Sequence, residues 1–222
     1  DLFIHEQLPE LLESRMPLAS ISIEANDTYS FRLKLGLASD AGEVTVAFPS
    51  LPQPDEQGIF KLDGASWVVV PIADSSDLST ANIKCVGEQL YDYMAARLGE
   101  APEDLPLDEN LAHAWLPIEE WFQEFLTSEQ NEESHGIVKA NQGLEATNWL
   151  SAHTQLRRLV LPRRPEVVLP KYWDGVCPFS TPEGPNIGRI LHVALGAEIR
   201  HGKLVVLDND PEKAIGLAAG MV

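Results

Sequence analysis

Apolar and polar residues alternate along three stretches of the first fifty residues, and that alternation predicts strands. Residues 20–24 (SISIE), 29–37 and 43–48 (EVTVAF) send successive side chains to opposite faces, as a strand with one buried face requires. Residues 2–12 (LFIHEQLPELL) have near-helical apolar spacing but carry Pro9, which predicts an irregular or short helical lead-in. The prolines of PSLPQPDEQG, residues 49–58, predict a turn region. Beyond it, residues 59–70 (IFKLDGASWVVV) read as a hairpin about Asp63-Gly64, a pair suited to a two-residue turn.

The period then lengthens. Residues 84–98 carry Val86, Leu90, Tyr93, Met94 and Leu98 at helical spacing with Gly99 placed to cap the end, so a helix is predicted. Residues 99–110 (GEAPEDLPLDEN) read as an acidic linker, and Pro117 opens a second amphipathic helix over 117–126. A charged loop is expected at 129–135, a third helix over 144–156, and short extended pieces broken by prolines over 159–169. Residues 199–206 read as strands about His201-Gly202. The fold class expected is α+β: a mostly antiparallel β region over 1–140 with helices, then a helix-and-loop segment with short strands over 141–222.

Composition narrows this little. A chain of 222 residues with 44% apolar and 23% charged positions has enough material for a buried core and an ordinary globular balance. It has no apolar run near the ~20 residues of a membrane helix and no signal-peptide pattern, so no membrane contact and a cytoplasmic location are expected. Cys85 and Cys177 lie far apart with no CxxC beside them, so neither a zinc site nor any other metal site is read here, and both are expected as buried thiols. The chain begins at Asp1 and stops within a motif, which predicts a piece of a longer protein.

Charge is distributed unevenly, and this bears on partners. The net charge is −18, yet residues 1–135 hold 26 acidic and 6 basic side chains while residues 157–203 hold 4 acidic and 8 basic. A polyanion is repelled by the first region and attracted by the second. The pairs Arg157-Arg158 and Arg163-Arg164 lie in the basic stretch; such pairs serve either as solvated, ion-paired faces or as phosphate contacts. No Ser, His or acidic constellation with catalytic spacing is present, and Asp208-Asn209-Asp210 reads as a turn.

The stretch least explained by packing is 173–190, WDGVCPFSTPEGPNIGRI. Pro182 and Pro185 fix φ and exclude a regular helix or central strand, leaving a stiff loop that presents Thr181, Glu183 and Asn186. This string resembles the CP-x-x-TPEGPNIG segment of the second-largest (beta) subunit of multi-subunit DNA-directed RNA polymerases. Residues 147–158 (TNWLSAHTQLRR) resemble that family's TNPLAELTHKRR. Residues 58–70 (GIFKLDGASWVVV), 86–90 (VGEQL) and 215–222 (IGLAAGMV) add three further collinear likenesses.

The resemblance implies a protrusion-like domain over 1–140 and a fork-like segment over 141–222 leading into a core. It implies a channel wall in template-directed RNA synthesis, with Asn148, Gln155, Arg157, Arg158, Glu183 and Asn186 as nucleic-acid-binding residues. By the same resemblance the chain has no catalytic residue and no cofactor of its own. Mg²⁺ belongs to a beta-prime-type partner, and the other partners are further polymerase subunits, DNA template and nascent RNA.

Departures shape the expectation. Gln155 and Leu156 replace a histidine and lysine, Val160 replaces a frequent serine, and Trp67 stands where arginine is usual. The 19 positions from Arg158 to Cys177 shorten the intervening loop, and Val86 follows Val70 by only 16 residues, so the lobe domain of the family is missing. The acidity and the missing lobe leave a second function open, a non-catalytic beta-derived module that binds RNA polymerase or a transcription factor.

Overall fold

The computed structural model describes residues 3–39, 42–99, 109–127, 141–145, 147–162, 175–177, 179–180 and 182–207. The architecture is α+β, built from mostly antiparallel sheets and short helices. The chain divides into two compact units, one of Asp1–Trp67 with Gly87–Ser128 and one of Val68–Val86 with Glu129–Val222. The boundary expected near residue 140, the charged loop at 129–135, Arg163-Arg164, Asp208-Asn209-Asp210 and residues 215–222 lie outside the described residues.

In the first unit a π-helical turn, Phe3–Gln7, leads into α1 (Leu8–Arg15). Pro9 sits in the first turn of α1, where a missing N–H removes no intrahelical bond. Three strands follow as a meander: β1 (Leu18–Asp27), β2 (Ser30–Ser39) and β3 (Gly42–Pro52), with β2 in the middle. Phe31, Leu33, Leu35 and Leu37 are all buried on β2, the period of two that the sequence alternation predicts. Register pairs Leu33 with Phe48 and Phe31 with Leu51, so β3 carries one extra residue there, a bulge. The strand thus continues through Pro49 to Pro52, where the sequence predicted a turn region. It can do so because β3 is an edge strand, and a proline at an edge or bulge removes no needed ladder donor.

The hairpin of β4 (Ile59–Leu62) and β5 (Ala65–Val69) turns on Asp63 (φ 51) and Gly64 (φ 78), both left-handed as a primed turn demands. Helix α2 (Val86–Gly99) buries Leu90, Met94 and Leu98. A short helix not anticipated from the acidic linker, α3 (Glu109–Trp115), precedes α4 (Ile118–Thr127). These helices and the inner face of the meander form one apolar cluster that includes Leu8, Leu12, Leu33, Phe48, Met94 and Phe122. Phe31 and Phe122 meet edge to face at 6.0 Å. Each fully buried side chain of this size contributes roughly 1.5–3 kcal/mol.

The second unit begins with β6 (Ile72–Ala73) and β7 (Ile83–Lys84) and continues through β8 (Asn141–Gly143), α5 (Trp149–Gln155), β9 (Arg158–Val160) and β10 (Ile190–His192). Four of these strands form a sheet in the order β10-β9-β6-β7. A second hairpin pairs β11 (Ala197–Arg200) with β12 (Lys203–Val206) about His201 and Gly202. Gly202 has φ +71, and a Cβ there would lie 2.1 Å from Asn82 Oδ1, so only glycine fits this turn without displacing Asn82. The apolar core is smaller than in the first unit, centred on Ala73, Ile83, Leu159, Leu161 and Leu191.

Candidate functional site

The two motif-bearing segments of the sequence meet as adjacent strands in the second unit. Antiparallel pairing sets Ile190 opposite Val160, Leu191 opposite Leu159 and His192 opposite Arg158. The basic end of TNWLSAHTQLRR is thereby fixed against the exit of the TPEGPNIG loop. Around this pair of strands, Gln155 and His192 are buried with hydrogen-bonding partners.

Helix α5 is shorter than the helix predicted over 144–156. It starts at Trp149 because Asn148 is extended (φ −158, ψ 168) and its Oδ1 accepts from Ser151 N at 2.9 Å, the geometry of an N-cap. The preceding residues are held away from the helix by Gln155. Its Oε1 accepts from Glu145 N at 2.6 Å, and its Nε2 donates to Gly143 O at 2.9 Å and Gln142 Oε1 at 3.3 Å. Gln155 is 2% exposed, and its amide is spent within the chain, as a buried amide must be.

Arg158 and Arg157 diverge. Arg158 Nη1 donates to Gln142 Oε1 at 2.7 Å and its Nη2 lies 4.0 Å from Glu145 Oε2, with 27% of its side chain exposed. Gln142 therefore joins Gln155 and Arg158 through one oxygen. Arg157 Nη1 donates to Val193 O at 2.7 Å, while its Nε and Nη2 are buried without a hydrogen bond among the described residues. Burial lowers the guanidinium pKa, and the neighbouring Cys177 sulfur acts in the opposite direction. A cleft of about 240 Å³ opens here, lined by both arginines with Pro71, Leu156, Val193 and Leu195 among its walls.

The loop that follows is anchored at its base. Cys177 N donates to His192 O at 2.8 Å, and the buried Cys177 Sγ lies 3.5 Å from Ser180 Oγ. His192, 5% exposed, contacts Ser180 O through Nδ1 at 2.5 Å. Because a carbonyl only accepts, Nδ1 carries the proton. Burial pushes the His192 pKa below its ordinary value; the Ser180 carbonyl opposes this, and the charges of Arg158 and Arg157 reinforce it. Beyond, Gly184–Asn186 forms a 3₁₀ turn with Gly184 at φ 72. Glu183 is exposed in extended conformation and makes no cap bond, and Asn186 is half-buried.

Of the six residues expected to bind nucleic acid, Gln155 and Arg158 are joined directly through Gln142, and Asn148 and Arg157 flank them. Glu183 and Asn186 stand on the loop that leads into β10. Sequence reading did not single out His192. A polar ring inside the apolar run ILHVAL is the signal that points to it, since a buried polar group needs a partner. It also missed the parallel stack of Trp149 on His153. No group of three or more metal-ligating side chains occurs among the described residues, and no described helix is long and apolar enough to cross a membrane.

Residues 142–199, the stretch holding this cluster, match the family model of RNA polymerase Rpb2, domain 3. The chain is also 40% identical over 74 residues to the DNA-directed RNA polymerase subunit Rpo2 of Saccharolobus solfataricus, of Saccharolobus shibatae and of Sulfolobus acidocaldarius. In each case the similar stretch is 30% of this chain and 7% of the relative's length. Over these stretches the chain is similar to the RNA polymerase second-subunit type.

Proposed function

We propose that this chain belongs to a divergent beta-type subunit of a DNA-directed RNA polymerase, with residues 141–222 as a fork-like wall of the nucleic-acid channel and 1–140 as a protrusion-like domain. The observation that carries the reading is the β9–β10 pairing, which lies within the matched residues 142–199 and joins the Arg157-Arg158 segment to the TPEGPNIG loop. In this reading the chain performs no chemistry itself. A beta-prime-type partner holds the Mg²⁺ that supports phosphoryl transfer, and this segment positions template and nascent RNA.

Arg158 is the phosphate contact, since a guanidinium binds two oxygens at once. Glu183 and Asn186 meet bases or sugars from the loop. Asn148, Gln155 and Arg157 act at the same interface by fixing the helix start, the 142–145 segment and the backbone at Val193, so they position the contact groups. Co-expression of the full gene product with a beta-prime-type subunit tests this. The expected result is a stable complex that extends RNA on a template and extends it more slowly with Arg158→Ala. A chain that purifies alone and supports no extension contradicts it.

The 26 acidic against 6 basic residues in 1–135 favour a second reading, a non-catalytic module that binds polymerase or a transcription factor. That module would join an assembled polymerase already containing its own beta-type subunit, and RNA extension would not depend on it.

A further inference from the structure

Helix α5 displays a feature that the cluster around Gln155 does not use. Trp149 is 67% exposed, and its indole lies parallel to the His153 imidazole with centroids 4.9 Å apart and planes inclined by 10°. Residues four apart share one helix face, so the first turn of α5, set by the Asn148 cap, aligns the two rings. The imidazole covers one face of the indole, and Trp149 remains 67% exposed. A tryptophan side chain has only two rotatable bonds, so it loses little conformational freedom when it binds.

We propose that the Trp149–His153 pair is a stacking platform for an unpaired base of single-stranded nucleic acid. The inference rests on the polymerase reading above and adds a named contact to it. Charge selects the occupant. The pair leads directly into Arg157-Arg158 and the 157–203 stretch, with 8 basic against 4 acidic residues in a chain of net charge −18. An aromatic surface that runs in sequence into the basic stretch of an acidic chain suits a polyanion whose bases offer π-faces, because stacking supplies binding and cations hold the backbone. The resembled polymerase segment has proline where Trp149 stands, so the platform is a property of this chain.

Tryptophan fluorescence of the full chain tests the proposal, with Trp149→Phe subtracted to isolate the one indole among five. Short oligo-uridylate and oligo-thymidylate, titrated in parallel, tell whether an RNA or a DNA strand is the better source of the base. The expected result is quenching of the Trp149 emission, a dissociation constant raised roughly tenfold or more by Trp149→Ala, and near-native affinity for Trp149→Tyr, which keeps a ring. His153→Ala should weaken binding by a smaller factor.

Unchanged affinity in Trp149→Ala beside weakened binding in Arg158→Ala overturns the platform and leaves the polymerase reading intact. Binding of neither oligomer also overturns it. So does a Trp149 emission that responds to a beta-prime-type subunit and to neither oligomer. The parent reading fails on separate evidence, the absence of complex formation and RNA extension.

Discussion

The two units are held together by different means. In the first, a three-stranded meander with Leu33, Leu35, Val46 and Phe48 on its inner face closes on helices carrying Leu12, Met94 and Phe122, all nearly inaccessible to solvent. In the second, a smaller apolar centre is supplemented by Gln155, His192 and Asn141, buried polar residues at 2%, 5% and 7% exposure. Apolar contact is tolerant of small shifts, whereas a buried hydrogen-bonded group accepts few geometries. The second unit therefore depends on side-chain hydrogen bonds around its motif strands, and the acidic first unit has the larger apolar core.

The largest expected effect lies in the first unit. Phe48, 1% exposed and edge to face with His113 at 5.0 Å, should cost about 3–5 kcal/mol when changed to alanine. Chemical denaturation, read by hydrogen exchange in β1–β3, measures it, and a loss below 1 kcal/mol would break the contrast. In the second unit, Gln155→Leu keeps an apolar volume but strands Glu145 N and Gly143 O. A loss of about 1–3 kcal/mol is expected, with faster exchange at Glu145.

A subtler effect sharpens the role of His192. Burial favours its neutral form, so the unfolded chain binds the proton more readily than the folded one. Stability of the second unit should then fall as pH drops through about 6.5 and level off only below the lowered folded value. Denaturation midpoints of wild type against His192→Asn across pH 7 to about 5 check this. A curve as steep in the variant as in the wild type would remove His192 as the cause.

The first unit was more legible in the sequence than the second, for physical reasons. Alternation in β2 and the 90, 94, 98 spacing of α2 report burial within one element. The end of β3 was not legible, because whether Pro49 and Pro52 break a strand depends on its being at an edge, which only the partner strands decide. Likewise, α5 loses its expected first residues because Asn148 caps it and Gln155 captures Glu145 N, and apolar spacing carries no trace of that side-chain bonding. The Arg157-Arg158 pair and the TPEGPNIG loop stood out as motifs. The partners of the two arginines did not, because Val193 and Gln142 reach them from 36 and 16 residues away.

The claim that the second unit, and not the first, faces nucleic acid is tested most directly by the salt dependence of single-stranded RNA binding. Arg158→Ala and Arg32→Ala are the informative pair, since Arg32 is a half-exposed cation on β2 paired with Glu24 at 3.6 Å. The account predicts that Arg158→Ala weakens binding and makes the slope of log K against log salt shallower by about 0.7, one phosphate contact on a single strand, while Arg32→Ala leaves both unchanged. Equal slopes for wild type and Arg158→Ala, or a shallower slope with Arg32→Ala alone, would contradict it.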